Sequence, residues 1–358
     1  MSLGVYARFQ RSSRESAGCE AVPVLVIVAP GQGSQRAGML AVWRGVPVAA
    51  ARLAEASREL DVDLVAADGD AASARAYAQE LLVALGQAAW AELTADRPRT
   101  PHAVAGHSVG ELTIAAVGGA LAPGDALRVT RRRAEAMRAC AEEAPGGLVA
   151  AIALGAGPQQ TADDVDEDLA CAARRGAAHG LSVAVVNAPS QLVLGGPEEA
   201  IAAFLAESAA ETAAETAAEH RRPRSRLRLA RLDVAGAFHT SAMAPAVPAV
   251  AAALDGIPAV DRTAAPAPAY VRGVDGGVGD GPALLAALPR QVASPVRWDL
   301  VTARIAALGA TGVLELPPAG TLTGLLRRAH PAIEVFALRD PADIVAARAF
   351  VDSHLSGP

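Results

Sequence analysis

Residues 103–116 read AVAGHSVGELTIAA: a short apolar segment, a serine between two glycines, and an apolar segment with helical spacing. The pentapeptide GHSVG fits the pattern G-x-S-x-G, a sharp turn from a strand into a helix that exposes the serine oxygen. The helix N-terminus offers backbone N–H groups to a developing oxyanion. The stretch predicts an α/β fold with Ser108 as a nucleophile; an N-cap serine is the alternative interpretation.

Two further segments support an α/β core. The segment VPVLVIVAP (22–30) is a continuous apolar run between prolines, which is typical of a strand buried on both faces of a parallel sheet. It leads directly into the glycine-rich turn GQGSQ. Near the other end of the chain, TGVLELP (311–317) predicts a strand and GTLTGLLRRA (320–329) predicts a helix. Strand, turn and helix in this alternation favour a parallel sheet covered by helices.

The pattern changes between residues 146 and 228. Here the chain predicts a strand (146–155), a helix (161–175), two strands around a proline turn (181–196), a long alanine- and glutamate-rich helix (197–220) and a last strand (225–234). This βαββαβ order is ferredoxin-like. We therefore predict a disordered N-terminal extension over 1–20, a large α/β-hydrolase-like subdomain with a parallel sheet over 21–145 and 229–358, and an inserted ferredoxin-like small subdomain over 146–228.

Composition excludes several classes of protein. The 358 residues have a formal net charge of −6 and a pI near 5.7, which argues against a nucleic-acid partner because such partners favour strongly basic surfaces. Three cysteines without C-x-x-C spacing argue against a disulfide framework or a zinc site. No apolar run reaches about 18 residues, so no membrane span is predicted, and the N-terminus lacks the apolar region of a signal peptide. We expect a soluble, cytoplasmic protein.

A serine nucleophile needs a base, which is usually a histidine. Of the seven histidines, His239 in DVAGAFHTSAMAP follows a predicted strand in a glycine-containing loop and could reach the serine. Spacing alone favours it only modestly over three others: His102, His179 and His330. The remaining histidines are poorer candidates, because they adjoin the serine or lie in the alanine-rich helix or at the C-terminus: His107, His220 and His354.

Arg133 lies near the middle of the apolar face of the predicted helix GDALRVTRRRAEAMRA (124–139). A guanidinium that faces the core needs an anion, because an unpaired buried charge costs several kcal/mol. One interpretation is an internal Asp or Glu partner, since structural ion pairs are common. The other is that the anion is the carboxylate of a substrate, bound by two hydrogen bonds.

Taken together, these motifs resemble the malonyl-CoA:acyl carrier protein transacylases of fatty acid and polyketide synthesis. Besides the helix that contains Arg133, the resemblance rests on six blocks in order: PGQGSQ (30–35), GHSVGE (106–111), VNAPSQLVLGG (186–196), GAFHT (236–240), QVASPVRW (291–298) and ELPPAGTLTGL (315–325). It extends over nearly all of the chain from about residue 24 to 350. The family has an inserted ferredoxin-like domain, as the pattern predicts.

The resemblance implies a role for each matching residue. Ser108 would accept the acyl group, with His239 as its base and Arg133 as the ligand of the malonyl carboxylate. The backbone N–H groups of Gln32 and Val109 would form the oxyanion hole. Three further positions match supporting residues: Gln291, whose main-chain carbonyl would orient the histidine, Asn187 in a turn near the site, and Phe238, which resembles the bulky residue of malonyl-selective members.

The implied reaction is a ping-pong transfer of malonyl from malonyl-CoA to Ser108 and then to the phosphopantetheine thiol of an acyl carrier protein, without a metal or bound cofactor. Two positions depart from the family pattern: Ala29 replaces an aromatic residue, and PPA (317–319) replaces GPG. Two alternatives remain at this point. One is an α/β-hydrolase-type esterase or thioesterase with His330 as the late histidine, and the other is a non-catalytic module that binds carrier protein.

Overall fold

A computed structural model describes residues 23–153, 162–219, 227–258, 260 and 267–355. The predicted N-terminal extension over 1–20 and the candidate His220 lie outside the described residues. Within the described part of the chain, no helix is long and apolar enough to cross a membrane.

Within these residues the strands form two sheets. Their bounds are β1 (Leu25–Ala29), β2 (Ala103–Gly106), β3 (Gly146–Ala153), β4 (Ser182–Ala188), β5 (Gln191–Pro197), β6 (Leu227–Arg231), β7 (Ala269–Val271), β8 (Val278–Gly279), β9 (Val296–Arg297), β10 (Gly312–Glu315) and β11 (Glu334–Ala337).

The helices connect these strands, and the last one follows β11. Their bounds are α1 (Pro47–Leu60), α2 (Leu64–Gly69), α3 (Ala71–Ala76), α4 (Ala78–Leu93), α5 (Gly110–Val117), α6 (Pro123–Glu143), α7 (Ala162–Ala178), α8 (Glu198–Glu219), α9 (Val247–Leu254), α10 (Gly281–Gln291), α11 (Trp298–Ala307), α12 (Thr321–Ala329) and α13 (Ile344–Leu355). Short 3₁₀ helices occupy Ala41–Gly45, Ser241–Ala246 and Pro341–Asp343.

The first sheet has the strand order β11-β10-β1-β2-β7-β8 in the described residues. All neighbours are parallel except the antiparallel pair β7 and β8. Strands β1 and β2 lie side by side with Ala29 opposite Gly106. Because both strands run in the same direction, the turns that follow them, with Gln32 and Ser108, meet at one edge of the sheet.

The second sheet has the strand order β6-β3-β5-β4-β9. Strands β3 to β6 pair antiparallel, and β9 adds to β4 in parallel, with Val185 opposite Val296. Strand β9 comes from the C-terminal half of the chain, so the small sheet is completed by a segment outside 146–228. The sequence pattern did not predict this strand.

The core extends to both faces of β1, as the continuous apolar run predicts. Alternate side chains of a strand point to opposite faces. Leu25 and Ile27 pack into one buried cluster, and Val26 and Val28 pack into another. The second cluster also contains Leu148 of the second sheet, so the two sheets share one apolar interior.

The chain therefore has an α/β fold with mixed sheets. The predicted strands and helices all occur with the predicted type, and their ends differ from the prediction by a few residues where these ends are described. The predicted ends at 154–155, 161, 220 and 225–226 lie outside the described residues. The alanine- and glutamate-rich stretch is helical up to Glu219.

Candidate active site

The turn that contains Ser108 is the sharp strand-to-helix turn predicted from GHSVG. Ser108 has a φ of 55°, in the left-handed region, and links β2 to α5. The glycines on both sides are required by close packing. A Cβ at Gly106 would meet the backbone nitrogen of Glu111, and one at Gly110 would meet the carbonyl of Ala29 at the end of β1. The side chain of Ser108 is thereby directed away from the sheet toward the loop that contains His239.

His239 contacts the serine directly. Its Nε2 lies 2.7 Å from the Oγ of Ser108, and its Nδ1 lies 3.0 Å from the main-chain carbonyl oxygen of Gln291. A carbonyl oxygen can only accept, so Nδ1 bears the proton and Nε2 accepts from the serine hydroxyl. The loop is held by the backbone N–H of His239, which donates to the carbonyl of Val292 at 3.1 Å. Of the histidines left open by spacing, His239 is the one beside the serine.

The imidazole of His239 is held in its neutral form. Burial, and then the positive charge of Arg133, lower the pKa of His239 to about 3. Both effects penalise the imidazolium in the free enzyme. A neutral imidazole beside the serine hydroxyl is the protonation state that a general base requires.

Arg133 approaches the serine from α6, and only 2% of its surface is exposed. Nη2 donates to the Oγ of Ser108 at 3.1 Å and to Oε1 of Gln291 at 2.9 Å, and Nη1 donates to Oε1 of Gln79 at 2.5 Å. Within the described residues, each of these acceptors is uncharged. Burial lowers the pKa of Arg133 to about 10, so the guanidinium is still positive at neutral pH. Among the described residues, Arg133 donates directly to no carboxylate.

Gln291 connects the arginine to a buried carboxylate. Its Nε2 donates to the main-chain carbonyl of Ser108 at 2.7 Å and to Oε2 of Glu111 at 2.5 Å. Oε1 of Glu111 accepts from the backbone N–H of Gly273 at 2.6 Å. Burial raises the pKa of Glu111 to about 7.

Sequence reasoning assigned no role to Glu111 or Gln79. Glu111 belongs to the block GHSVGE. The available signal was a single acidic residue in the first turn of an otherwise apolar helix. Gln79 stands at the start of α4, whose residues are almost all buried, and no sequence pattern singles it out.

The weaker candidates also lie around the serine. The side-chain oxygen of Gln32 is 3.4 Å from Nε2 of Gln79, and buried Val109 directly follows the nucleophile. Asn187, near the end of β4, has its Oδ1 3.1 Å from Nε2 of His107. Phe238 packs in an apolar cluster that includes Met137 of α6.

Two of the three rival histidines have hydrogen-bond partners of their own. Nδ1 of His102 accepts from the backbone N–H of Leu25 at 3.0 Å, and His179 pairs with Glu207 at 2.7 Å. His330 ends α12. In the described part of the chain, the Oγ of Ser108 has hydrogen bonds to His239 and Arg133. No described group of three or more His, Cys, Asp or Glu side chains could hold a metal ion.

A model of the acyl transferase domain family matches residues 26–335. The chain belongs to this acyl transferase family. A malonyl CoA-acyl carrier protein transacylase of Mycobacterium tuberculosis is 36% identical to the chain over 330 residues, which are 90% of the chain and 98% of that protein.

Solved structures agree with the sequence comparison. The crystal structure of a malonyl-CoA:acyl carrier protein transacylase from Xanthomonas oryzae superimposes with a TM-score of 0.76 at 31% identity, covering 92% of the chain and 98% of that protein. A malonyl-transacylase in complex with its type II polyketide synthase acyl-carrier protein gives a TM-score of 0.74 at 28% identity, with 91% and 99% covered. The relative from Mycobacterium tuberculosis and the proteins in these two solved structures are all malonyl transacylases.

Proposed function

We propose that the chain transfers a malonyl group from malonyl-CoA to the phosphopantetheine thiol of an acyl carrier protein, through a malonyl ester of Ser108. One observation supports this most strongly. A positively charged guanidinium lies 3.1 Å from the nucleophile oxygen, and its hydrogen-bond acceptors in the described residues are uncharged. Such a group fits an acyl chain that ends in a carboxylate.

The first half-reaction uses the pair of Ser108 and His239. As the serine oxygen attacks the thioester carbonyl, its proton passes to Nε2 of His239 and the carbonyl oxygen becomes an oxyanion. We assign the oxyanion hole to the backbone N–H groups of Val109 and Gln32, at the adjacent ends of β2 and β1. The tetrahedral intermediate then collapses, the C–S bond breaks, and the imidazolium returns the proton to the CoA sulfur.

The second half-reaction reverses these roles. His239 takes the proton of the phosphopantetheine thiol, the sulfur attacks the ester, and the Oγ of Ser108 leaves and regains a proton from the imidazolium. The carbonyl of Gln291 keeps Nδ1 protonated and stabilises the imidazolium in both halves. This carbonyl replaces the acid of a Ser-His-Asp triad.

Arg133 selects the acyl group. Its guanidinium would bind the malonyl carboxylate with two charge-assisted hydrogen bonds, which are shorter and stronger than neutral ones. Phe238, adjacent to the base, would crowd a 2-methyl branch, so methylmalonyl-CoA is expected to be a poorer substrate. Asn187 supports the site through His107.

The hydrolase alternative has less support. A thioesterase that uses His330 would need that side chain beside Ser108, where His239 stands, and it has no use for a guanidinium at the serine. A non-catalytic carrier-binding module would not need a bonded serine, histidine and arginine. The related proteins named above are transacylases.

The organisation of the chain stays a proposal. A large α/β-hydrolase-like subdomain over 21–145 and 229–358 is supported by the mostly parallel first sheet and the sharp turn at Ser108. A ferredoxin-like subdomain over 146–228 is supported by the order β6-β3-β5-β4, in which the first and third strands of the unit are central. A cytoplasmic location remains a prediction from the sequence.

The experiment that tests the function separates transfer from hydrolysis. The protein is incubated with malonyl-CoA in the presence or absence of a phosphopantetheinylated acyl carrier protein, and both proteins and free malonate are measured by mass spectrometry. Transfer predicts a carrier protein heavier by one malonyl group and little free malonate. Rapid release of malonate with an unmodified carrier protein would support a thioesterase instead.

A further inference from the structure

Glu111 is a buried carboxylate that joins three parts of the site. It lies in the first turn of α5, three residues after the nucleophile, and 1% of its surface is exposed. One oxygen accepts from the backbone N–H of Gly273 after β7, and the other accepts from the side chain of Gln291 at the end of α10. The residue contacts none of the reacting atoms.

These hydrogen bonds determine which end of the Gln291 amide faces Arg133. The Nε2 group donates to Oε2 of Glu111 and to the carbonyl of Ser108, and both of those atoms can only accept when Glu111 is ionised. The remaining atom, Oε1, is therefore turned toward Arg133 and accepts from it. A flipped amide would place its NH₂ group against the guanidinium, donor against donor.

The same arrangement places the side chain of Gln291 between the Glu111 carboxylate and the Arg133 guanidinium. The negative charge of Glu111 favours the charged form of Arg133. Because the Gln291 amide lies between them, however, the guanidinium is not occupied by an internal anion. A direct ion pair would neutralise the guanidinium and compete with the carboxylate of a substrate.

We propose that Glu111 is a positioning residue that acts through Gln291 to orient the Arg133 guanidinium and keep it free for an acyl carboxylate. Glu111 thereby helps determine the preference for malonyl over acetyl groups. The inference rests on the proposed malonyl transfer and assigns a specificity role to a residue outside the catalytic pair.

The test is Glu111→Gln at pH 8, where Glu111, with a pKa of about 7, is mostly ionised in the unaltered protein, with formation of the acyl-Ser108 ester followed by rapid quench and intact mass. The introduced amide can still accept from Gly273, but its NH₂ group then faces Nε2 of Gln291. Gln291 must turn, and it then presents a donor to Arg133. We expect KM for malonyl-CoA to rise at least about tenfold with kcat changed less than about threefold, because loss of ground-state binding raises KM with little effect on kcat.

Acetyl-CoA provides the internal reference, because acetyl has no carboxylate. The kcat/KM for acetyl-CoA should therefore change less than about threefold in Glu111→Gln, which is clearly less than the change of at least about tenfold expected for malonyl-CoA. Equal losses for both substrates would leave the malonyl-to-acetyl ratio unchanged. That result would show that Glu111 is only structural and would overturn the proposal.

Glu80→Gln is the matched control. Glu80 is also buried, burial also raises its pKa to about 7, and its nearest cation is Arg131 at 3.8 Å rather than Arg133. We expect this variant to keep the malonyl-to-acetyl ratio of the unaltered protein. A comparable fall in the ratio would show that any buried glutamate in this region has the effect, which contradicts the proposal.

Two further measurements keep the outcome clear. If circular dichroism shows that Glu111→Gln does not fold, Gln291→Met takes its place. This variant removes the connecting amide and leaves the main-chain carbonyl in place, so it must also lower the malonyl-to-acetyl ratio. A retained ratio overturns the proposal. The unaltered protein tests the function itself. If it shows no preference for malonyl-CoA, malonyl transfer fails, whereas a preference that Glu111→Gln leaves intact refutes only the role of Glu111.

Discussion

Ser108 and His239 face each other at 2.7 Å, and both have a positive φ, 55° and 63°. Non-glycine residues seldom adopt such a conformation, and it persists where the surrounding structure enforces it. Here β1 packs against the turn of Ser108, and the bonds from His239 to Gln291 and Val292 hold the opposite loop. The fold thus places the nucleophile and its base in direct contact.

His239→Ala removes the base and should slow acylation of Ser108 by about 10²–10⁴-fold, the usual contribution of a general acid–base group. The rate is measured by rapid quench and intact mass with malonyl-CoA. His330→Ala is the control and should be close to the unaltered protein. A large loss in the control, with near-normal acylation by His239→Ala, would support the hydrolase interpretation.

Arg133→Ala should abolish the preference for malonyl. Hydrogen bonds to charged groups contribute roughly 1.5–3 kcal/mol each, so the ratio of malonyl to acetyl transfer should fall at least about tenfold while acetyl transfer is kept or increased. Arg132→Ala, at an exposed position next to it on α6, is the control and should keep the ratio. Equal loss of both activities in a folded Arg133→Ala protein would show a structural role.

The acylation rate should tolerate acid. Because the pKa of His239 is lowered to about 3, its imidazole stays neutral far below the ordinary value of 6.5. With the acetyl thioester of N-acetylcysteamine, an uncharged acyl donor, kcat/KM reports the free enzyme. We expect this parameter to stay within about threefold between pH 8 and pH 5. A tenfold decline centred near pH 6.5 would show that His239 titrates as in water.

Stability should respond to pH through Glu111. Burial raises its pKa from 4.5 to about 7 in the folded protein, with the charge of Arg133 opposing the shift and that of Asp275 adding to it. The protonated carboxyl therefore favours the folded state below pH 4.5, and this contribution is lost as the pH rises through 7. Between pH 5 and pH 8 the free energy of unfolding of the unaltered protein should fall by roughly 2–3 kcal/mol more than that of Glu111→Gln.

Urea unfolding at the two pH values measures this difference. His239 and Glu80 titrate in both proteins, so their contributions cancel in the comparison. Equal pH dependence of the two proteins would mean that Glu111 titrates at its ordinary value.

Much of the fold was predictable because its signals are local. The apolar run of β1 predicts burial on both faces, the helical periodicity around Arg133 predicts its burial, and GHSVG predicts the turn at Ser108. Each depends on a few neighbouring residues. Family resemblance added the pairing of Ser108 with His239, which spacing alone favoured only modestly.

The rest depends on contacts between distant segments. Glu111 and Gln291 are separated by 180 positions, and their hydrogen bond exists only because the fold brings the start of α5 next to the end of α10. Gln79 meets Arg133 across α4 and α6. The addition of β9 to the second sheet is equally non-local. Local patterns contain no information on these pairings, so the polar network around Arg133 was missed while Arg133 itself was found.

The central claim is that Ser108 carries the malonyl group, and peptide mapping after a brief incubation with malonyl-CoA alone tests it most directly. The account predicts one added malonyl mass on the peptide that contains Ser108, and none in Ser108→Ala, which should also be inactive in transfer. A label on another peptide, or normal transfer by Ser108→Ala, would contradict it.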